Sequence, residues 1–391
     1  MSDHPDGLAE WISTQLKCLP DQLMLNLIAG DASPRRYYRV THKAGALPVG
    51  AGEVGHPVTS CVAMVSPASE NNDAFLHVGS QLAKAGVNTP LVWAQSLPQG
   101  WFLLEDFGDE QFLSSVLSDS DSAALLYGHA FDNLLHQVRM PCEASGIPRY
   151  DAQRLQTELD VFLEWFVTGL LKIEADDLIL QRFEALSDHL IASAVEQPKV
   201  WVHRDFHSRN LMVLERGGLG VIDFQDAVIG PITYDPVSLL KDCYIRWPRS
   251  QQLLWLNNYL QLLKQLNQFS QVAHVDESGP SQVSLQSQIK RVVELLSGVS
   301  SDQFRLWFDL MGLQRHLKVL GVFARLHLRD QKSDYLADLP LVTEYVREAL
   351  LLTEGWHESV ADFRGWFEAH LMPIIVEQPW YESVEPEGWV W

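Results

Sequence analysis

Basic residues are scarce in this sequence. The 391 residues include 29 Lys and Arg against 50 Asp and Glu, which gives a formal net charge of −21. A surface this acidic repels nucleic acids and anionic membranes, so neither is a predicted partner. The sequence also has no apolar run that approaches about 18 residues, and it therefore predicts no membrane-spanning helix.

Cysteine is also rare, and a secretory signal is absent. The four cysteines lie far apart and form no C-x-x-C pair; they are Cys18, Cys61, Cys142 and Cys243. This pattern is typical of reduced thiols rather than of a disulfide framework or a zinc site. The N-terminal residues MSDHPDGLAE lack the basic and apolar segments of a signal peptide. The sequence thus predicts a cytoplasmic protein, and it shows no evident obligate protein partner.

What the sequence does contain is a globular composition and one stretch that is dense in polar motifs. Hydrophobic residues make up 47% of the chain, which is typical of a folded protein. Residues 201–226, WVHRDFHSRNLMVLERGGLGVIDFQD, alternate short apolar runs with a polar loop and a Gly-Gly turn. Such runs predict strands, and the turn predicts a small hairpin. We expect this hairpin to present Asp205, Asn210 and Asp223 close together.

The spacing of these three residues suits phosphoryl transfer to a hydroxyl group. Asp205 and Asn210 match the H-R-D-x-x-x-x-N spacing of a kinase catalytic loop, and Asp223 stands where kinases carry the D-F-G aspartate. An aspartate beside the acceptor hydroxyl can orient it and accept its proton. Asn210 and Asp223 offer the hard oxygen ligands that Mg²⁺ prefers. The alternative, a polar loop with a solvated aspartate and a capping asparagine, is disfavoured by the ordered pair of motifs.

The segment HRDFHSRNLMVL…GVIDFQDA resembles the aminoglycoside phosphotransferase and choline kinase family, whose pattern is H-x-D-x-H-x-x-N followed by I-D-[FW]-x-D. Further stretches resemble the members of this family that phosphorylate the anomeric hydroxyl of N-acetylmuramate and N-acetylglucosamine. These stretches are GDASPRRYYRV (30–40), YDPVSLLKDCYIRWP (234–248) and WFDLMGLQRHLKVLGVFARL (307–326). The resemblance covers most of residues 8–350 and is thinner after Val40 and around 267–301.

The resemblance implies an α+β, two-lobed protein-kinase-like fold. A small β-rich N-terminal lobe, residues 1–107, would cover ATP, and a larger helical C-terminal lobe, residues 108–391, would carry the catalytic hairpin and the acceptor pocket. The Ser- and Gln-rich residues 267–301 are predicted to be an inserted surface segment with a short helix at 284–297. The implied substrates are ATP and an amino sugar, with Mg²⁺ as cofactor, in peptidoglycan sugar recycling.

The predicted nucleotide site departs from the general kinase pattern. The strand at 61–65 lacks the lysine that holds the α- and β-phosphates in most kinases. Arg35 and Arg36 follow the predicted phosphate-covering loop at 30–34, and a guanidinium suits bidentate phosphate contact. Ordinary charges at a strand edge are the alternative for these arginines, and Lys43 is another candidate substitute for the lysine.

A second nucleotide-side segment precedes the helical half of the chain. In the resemblance, it is the linker between the lobes, where backbone groups meet the adenine edge. Its residues are Glu105, Asp106 and Phe107. The alternative is an ordinary strand end with an acidic turn.

Polar residues on the predicted helix 307–327 are candidates for the acceptor pocket. Gln314, Lys318, Gly321 and Arg325 share one helical face, which either lines a polar pocket or is solvated. The carboxylate of a muramate substrate needs a cation, which Lys318, Arg325 or Arg209 could supply.

Other residues near the motif have supporting roles in this interpretation. Arg209, beside the metal ligand, could stabilise transferred charge, and His203 is expected to brace the loop. Asp226 is expected to orient the strand that carries Asp223. Asp235 either fixes its turn and bonds the catalytic loop or, as the resemblance suggests, lies close to the acceptor sugar; the sequence leaves both possibilities open.

Two other functions are compatible with the sequence. A different small acceptor, such as an aminoglycoside or choline, would use the same Asp205 machinery, and the net charge of −21 is compatible with a cationic substrate. A catalytically silent nucleotide-binding scaffold would explain the missing strand lysine. The presence of Asp205, Asn210 and Asp223 together argues against the scaffold.

Overall fold

The computed structural model describes residues 4–28, 34–47, 58–119, 122–143, 145–269 and 280–384. The chain forms two units. The N-terminal unit comprises Met1–Glu110 with Met212–Asp226, and the C-terminal unit comprises Gln111–Leu211 with Ala227–Trp391. The predicted lobe boundary between residues 107 and 108 stays a prediction. It placed residues 212–226 in the C-terminal lobe, whereas these residues belong to the N-terminal unit.

The N-terminal unit is built on an antiparallel sheet. Its strands are β1 Leu23–Ile28, β2 Arg36–His42, β3 Ser60–Val65, β4 Val92–Ser96 and β5 Trp101–Glu105, in the spatial order β1-β2-β3-β5-β4. β1 and β2 are the predicted strand–loop–strand, although residues 29–33 of its loop lie outside the described residues. β4 and β5 form the second predicted pair, joined by a turn in which Gly100 has a φ of 67°.

Each face of this sheet is covered by a helix, because successive side chains of a strand point to opposite sides. One face packs on α1, Leu8–Leu16, through side chains that alternate along the strands; they are Tyr38, Val40, Cys61, Ala63 and Leu103. On the other face, the ring of Phe75 in α2, Asn72–Lys84, lies 5.7 Å from the ring of Phe102. α2 ends at Lys84, and Gly86 just beyond it takes a left-handed φ of 93°.

The predicted hairpin is present and includes two short strands, β7 Leu211–Val213 and β8 Leu219–Val221. Gly217 and Gly218 form its turn with φ values of 85° and 79°, a left-handed conformation that glycine adopts without strain. β8 continues beside Asn88, whose carbonyl oxygen accepts a hydrogen bond of 2.7 Å from the Val221 amide.

The C-terminal unit is mostly helical. Its α-helices are α3 Phe112–Ser118, α4 Ala123–Arg139, α5 Ala152–Val161, α6 Asp177–Glu196, α7 Tyr234–Leu240, α8 Arg249–Lys264, α9 Leu266–Phe269, α10 Pro280–Ser297, α11 Ser301–Asp330, α12 Leu339–Thr353, α13 Glu358–Trp366 and α14 Met372–Ile375. π-helical turns at Phe162–Leu170 and Phe367–Leu371 extend α5 and α13. Two strands, β6 Lys199–Val202 and β9 Val228–Pro231, pair antiparallel. The sequence analysis did not predict α3 or β9.

Helix α11 organises the C-terminal core. Its apolar face is buried; the members, which recur with the period of a helix, are Leu310, Leu313, Leu317, Leu320 and Ala324. The helix begins before the predicted residue 307 because the Ser300 hydroxyl caps it, accepting a hydrogen bond of 3.0 Å from the Gln303 amide. Gly321 allows close approach to α5, since a Cβ there would overlap the carbonyl of Val161.

A buried ionic group joins α11 to the segment after α7. The Asp309 carboxylate accepts hydrogen bonds from Lys241 Nζ at 2.9 Å and from Arg249 Nη2 at 2.5 Å. Only 1% of the Lys241 side chain and 6% of the Asp309 side chain are exposed. Because water does not solvate these buried charges, removing one of them would leave the others uncompensated and would destabilise the folded protein.

Other predictions for this unit have mixed outcomes. Trp366 and Phe367 pack in the C-terminal core, and Trp165 packs against it. The helix predicted at 284–297 begins at Pro280; Ile289, Val292 and Leu296 are buried while Leu295 is 50% exposed, so one face of this helix packs inward. In the part of the chain that the structure describes, no helix combines the length and apolarity needed to cross a bilayer.

Candidate active site

The loop between β6 and β7 carries Asp205 and is closed by its own hydrogen bonds. The Asp205 amide donates to Nδ1 of His203 at 3.2 Å, and the Asn210 amide donates to the His207 carbonyl at 2.9 Å. The Asn210 side chain closes the loop further, because its Nδ2 donates to the Asp205 carbonyl at 3.0 Å. Arg204 has a φ of 78°, a strained conformation for a residue with a side chain. The buried His203 ring therefore contacts the backbone of the proposed catalytic residue.

Two acidic side chains hold the ends of this loop from outside. Asp235, in the first turn of α7, is buried and accepts from the amides of His203 at 2.7 Å and Arg204 at 3.0 Å. Burial raises the pKa of Asp235 to about 7, although the two amide donors oppose that rise. Asp242 accepts from the Ser208 amide at 2.9 Å. Of the two possibilities left open for Asp235, the contacts favour loop bonding, and the sequence analysis missed Asp242.

The Asp205 carboxylate is partly buried and lies in a positive field. Burial alone would raise its pKa, but the charges of Lys318, His207 and Arg204 outweigh burial and lower the pKa to about 2. Asp205 is therefore ionised at every physiological pH. An ionised carboxylate can accept a hydrogen bond from a hydroxyl group and orient it.

Lys318 and Gln314 lie in a buried polar cluster rather than on a solvated face. Lys318 Nζ is 3.2 Å from Glu158 Oε1 and donates to the Tyr234 hydroxyl at 3.2 Å. Gln314 Nε2 lies 3.5 Å from the Tyr150 hydroxyl. Both polar residues of α11 thus face the interior, as the pocket interpretation requires. The sequence analysis missed Glu158, because the sequence around a single acidic residue on an amphipathic helix does not show which side chains it contacts in the folded protein.

Arg209 lies flat against an aromatic ring. Its guanidinium carbon is 3.6 Å from the centroid of the Tyr244 ring, a distance that favours a cation–π interaction. Within the described ranges, Arg209 forms no ion pair. Burial raises the pKa of the nearby Asp338 to about 6, and the charge of Arg209 opposes that rise. Arg209 is therefore a partly exposed cation on the same loop as Asp205.

In the N-terminal unit, Asp223 follows β8 and is exposed. Its φ of 64° is left-handed, which is uncommon for a residue other than glycine and is found at functional sites. Gln225 Nε2 donates to Asp223 Oδ1 at 2.7 Å. The side chain of Asp226 is exposed and forms no hydrogen bond or ion pair in the described part of the chain, and its predicted role in orienting the strand stays a prediction. Asp205 and Asn210 lie in the other unit, and the predicted proximity of the three stays a prediction.

Phe224 anchors the segment that carries Asp223. Its ring stacks on Phe75 of α2, with the centroids 5.2 Å apart. Gly79, one turn along α2, leaves space for this ring, since a Cβ at Gly79 would lie 2.9 Å from Phe224 Cε2. The position of Asp223 thus depends on a glycine in the neighbouring helix.

We expect Gly79→Ala to displace Phe224 and to lower stability. Overpacking costs about 1–3 kcal/mol, which exceeds the gain of about 1 kcal/mol from better helix propensity. Gly128→Ala is the matched control, because nothing lies within 4 Å of a Cβ at that position in α4. Thermal unfolding should show a lower midpoint for the first variant and an equal or higher midpoint for the second. Equal midpoints for both would contradict the close fit at Gly79.

The two candidate phosphate-binding arginines differ in environment. Arg35 is buried; its Nε donates to Ser66 Oγ at 3.2 Å, and its Nη2 is 3.7 Å from Glu70. Ser66 directly follows β3, the strand that lacks the lysine, and Glu70 precedes α2. Arg36 is exposed at the start of β2, and Lys43 is also exposed. Arg35 is linked to the end of β3 through its side chain, whereas Arg36 pairs with Val65 of β3 through the sheet and its side chain is exposed.

The side chains of the predicted linker are engaged within the N-terminal unit. Glu105 accepts from Arg216 Nη1 at 2.7 Å. Asp106 accepts from Arg39 Nε at 2.7 Å and Nη2 at 3.1 Å. Phe107 packs over Gly220, where a Cβ would lie 2.5 Å from the ring. Their predicted role beside the adenine edge stays a prediction.

Comparison with known proteins places the chain in a family. The model of the phosphotransferase enzyme family matches residues 25–272, which is more than half of the chain. The chain belongs to that family. Two curated relatives carry the name N-acetylmuramate/N-acetylglucosamine kinase. The relative from Pseudomonas putida is 37% identical over 83% of this chain and 83% of its own length. The relative from Pseudomonas aeruginosa is 34% identical over 82% of each.

The fold agrees with this membership. An ethanolamine kinase from Plasmodium vivax superimposes with a TM-score of 0.55 over 84% of this chain and 83% of its own, at 10% identity. At that identity the likeness concerns the fold alone. The predicted two-lobed, protein-kinase-like α+β fold is confirmed, and the family is one of phosphotransferases.

Proposed function

We propose that this protein is an ATP-dependent kinase that phosphorylates N-acetylmuramate, N-acetylglucosamine or both. The observation that carries the proposal is the loop at 203–210, which holds an ionised Asp205 in a chain of the phosphotransferase family. The substrate class rests on the two relatives, whose names specify these amino sugars and which match about four-fifths of each chain.

In this mechanism, Asp205 is the residue that contacts the acceptor hydroxyl. Its carboxylate accepts the hydroxyl hydrogen bond and orients the oxygen toward the γ-phosphorus of ATP. A bond forms between that oxygen and phosphorus, the bond to the β-phosphate oxygen breaks, and ADP leaves. With a pKa near 2, Asp205 is a weak base and takes the proton late, which suits a loose transition state.

We propose that Asn210 and Asp223 hold a magnesium ion. Asn210 and Asp223 would supply a carbonyl oxygen and an exposed carboxylate oxygen, and Mg²⁺ usually takes only one or two protein ligands. The described residues contain no group of three or more His, Cys, Asp or Glu side chains that could hold a metal alone, a pattern compatible with an ion shared with phosphates. When bound, the ion would neutralise developing charge on the β- and γ-phosphates.

We assign the nucleotide to residues of the N-terminal unit. Arg35 would contact its phosphates, with the Glu70 carboxylate 3.7 Å away holding the guanidinium as glutamate holds lysine in other kinases. Arg36 is the second candidate cation. The backbone of 105–107 would meet the adenine edge.

We assign the acceptor to the C-terminal unit. Arg209 is the proposed partner of a substrate carboxylate or of transferred phosphate charge, while Gln314 and Lys318 shape the polar wall. Asp235 supports the site through the amides of the loop. We further propose that the acceptor is the anomeric 1-hydroxyl, in cytoplasmic recycling of peptidoglycan sugars, as the resemblance implies.

A coupled ADP-release assay with Mg-ATP tests this proposal on N-acetylmuramate, N-acetylglucosamine, kanamycin and choline. We expect ADP release that depends on an amino sugar, and ³¹P NMR should place the phosphate on the anomeric oxygen. Turnover with kanamycin or choline alone would overturn the substrate assignment and keep the kinase mechanism. ATP binding without turnover on any acceptor would indicate a nucleotide-binding scaffold.

We expect Arg209→Gln to discriminate between the two sugars, because only muramate carries a carboxylate. Losing a charge-assisted hydrogen bond of about 1.5–3 kcal/mol should lower kcat/KM for N-acetylmuramate by about 10- to 100-fold. The value for N-acetylglucosamine should fall much less. Arg305→Gln, at an exposed arginine of α11, is the control. Equal losses of kcat/KM on both sugars would indicate that Arg209 stabilises charge on the transferred phosphate instead of binding the substrate carboxylate.

A further inference from the structure

The Glu158 carboxylate is the centre of the buried cluster beside the catalytic loop. Its Oε1 is 3.2 Å from Lys318 Nζ and also accepts from Arg204 Nη2, and its Oε2 accepts from the Tyr150 hydroxyl. We infer that Glu158 is a positioning residue that holds the cations of Lys318 and Arg204 away from the Asp205 carboxylate. This inference rests on the proposed function, since it assigns the Asp205 carboxylate to the acceptor hydroxyl.

The cluster links three separate parts of the C-terminal unit. Glu158 lies on α5, Lys318 lies on α11, and Arg204 directly precedes Asp205 in the loop. The three side chains are only 14%, 15% and 20% exposed, respectively. At such burial, charges interact strongly and an uncompensated charge is costly.

The balance of charge explains why the acid is needed. With Asp205, the cluster has two carboxylates for the two cations, and Arg315 adds further positive charge nearby. Burial would raise the pKa of Glu158, but the charges of Lys318 and Arg204 outweigh burial and lower it, so Glu158 is ionised. In the described residues, Glu158 is the sole carboxylate in an ion pair with Lys318.

Without Glu158, the two cations would face Asp205 alone. The lysine side chain has a flexible four-carbon stem, and its ammonium group would turn to the remaining carboxylate. An Asp205 paired with Lys318 would have fewer lone pairs, and less negative charge, available to the acceptor hydroxyl. Glu158 thus reserves Asp205 for the substrate without touching the substrate itself.

A double-mutant cycle tests this inference with the acceptor that the wild-type protein phosphorylates best. Glu158→Gln should lower kcat at least about tenfold at saturating sugar, with KM for ATP unchanged. Lys318→Met in the same chain should restore a large part of that kcat, because it removes the competing cation. Glu344→Gln, which removes the ion pair with Arg347 on α12, is the matched control and should keep full kcat.

Two outcomes would overturn the inference. One is a kcat within twofold of wild type for Glu158→Gln. The other is a double variant whose loss equals the product of the two single losses, because independent effects would mean that Glu158 does not act on kcat through Lys318. Glu158→Asp, which keeps the charge, should retain more kcat than Glu158→Gln and covers the case in which the glutamine variant unfolds. Wild-type protein that phosphorylates no amino sugar would refute the proposed function separately, before the cycle is run.

Discussion

Asp205→Asn should lower kcat by about 10²- to 10⁴-fold, the range that general acid–base groups contribute. Asparagine has nearly the same shape, so the backbone of residue 205 can still donate to His203 and accept from Asn210. The change therefore removes the charge that orients the acceptor hydroxyl and little else. We expect the Kd for ATP to stay within about threefold, because Asp205 is assigned to the acceptor rather than to the nucleotide.

Steady-state ADP release and ATP titration by calorimetry measure the two quantities. Glu215→Gln, at an exposed acid of the hairpin turn, changes the same charge and should keep full activity. If the Asp205→Asn variant keeps more than a tenth of wild-type kcat, the assignment of Asp205 to the acceptor hydroxyl is wrong. Because the pKa of Asp205 is about 2, the wild-type protein should show no loss of kcat from this group between pH 5 and pH 8.

Asp309→Asn should cost about 3–5 kcal/mol of unfolding free energy, the usual result of removing one partner from a buried ion pair. The substitution leaves Lys241 and Arg249 with two positive charges and no carboxylate. Asp302→Asn on the same helix is the matched control. Its ion pair with Arg305 is exposed, and such pairs contribute at most about 1 kcal/mol.

Urea titration at several pH values gives the free energy of unfolding and distinguishes a lost charge interaction from lost packing. Burial would raise the pKa of Asp309, but the charges of Lys241 and Arg249 outweigh burial and lower it. A lowered folded-state pKa gives stability that is present above the unfolded pKa of about 3.9 and is lost as the pH falls through the folded value. The difference between wild type and Asp309→Asn should thus be constant above about pH 5 and shrink at lower pH. A difference that persists at low pH would indicate lost packing.

Local patterns made the hairpin predictable from sequence, and the resemblance of its motif to a known family implied the fold class. The Gly217-Gly218 turn, the apolar runs beside it and the fixed spacing from Asp205 to Asn210 are all short-range features. The apolar stripe of α11 was also predictable, because its period is that of a helix. The sequence did not decide whether the polar stripe of α11 lines a pocket or faces solvent. A helix that is buried on several sides can have the same polar positions as a helix that faces water.

Partners that are distant in sequence could not be predicted. Glu158 contacts Arg204 from 46 residues away, and Asp242 contacts the Ser208 amide from 34 residues away. Glu158 belongs to no motif, and Asp242 lies in the quoted stretch 234–248 without any local sign of its partner; the folded chain alone brings both acids to the loop. The short strand β9, Val228–Pro231, was missed for a related reason. Its four residues are buried against a distant strand, while their glycine and proline are typical of a turn.

The division of the N-terminal unit into two separate segments has a consequence for biosynthesis. Between Glu110 and Met212 the ribosome must synthesise about 100 residues of the other unit. This takes about 5–20 s at an elongation rate of about 5–20 residues per second. During that interval α2 has been made but Phe224, which stacks on its Phe75, has not. We expect a nascent chain arrested before residue 224 to present this aromatic surface to chaperones and proteases.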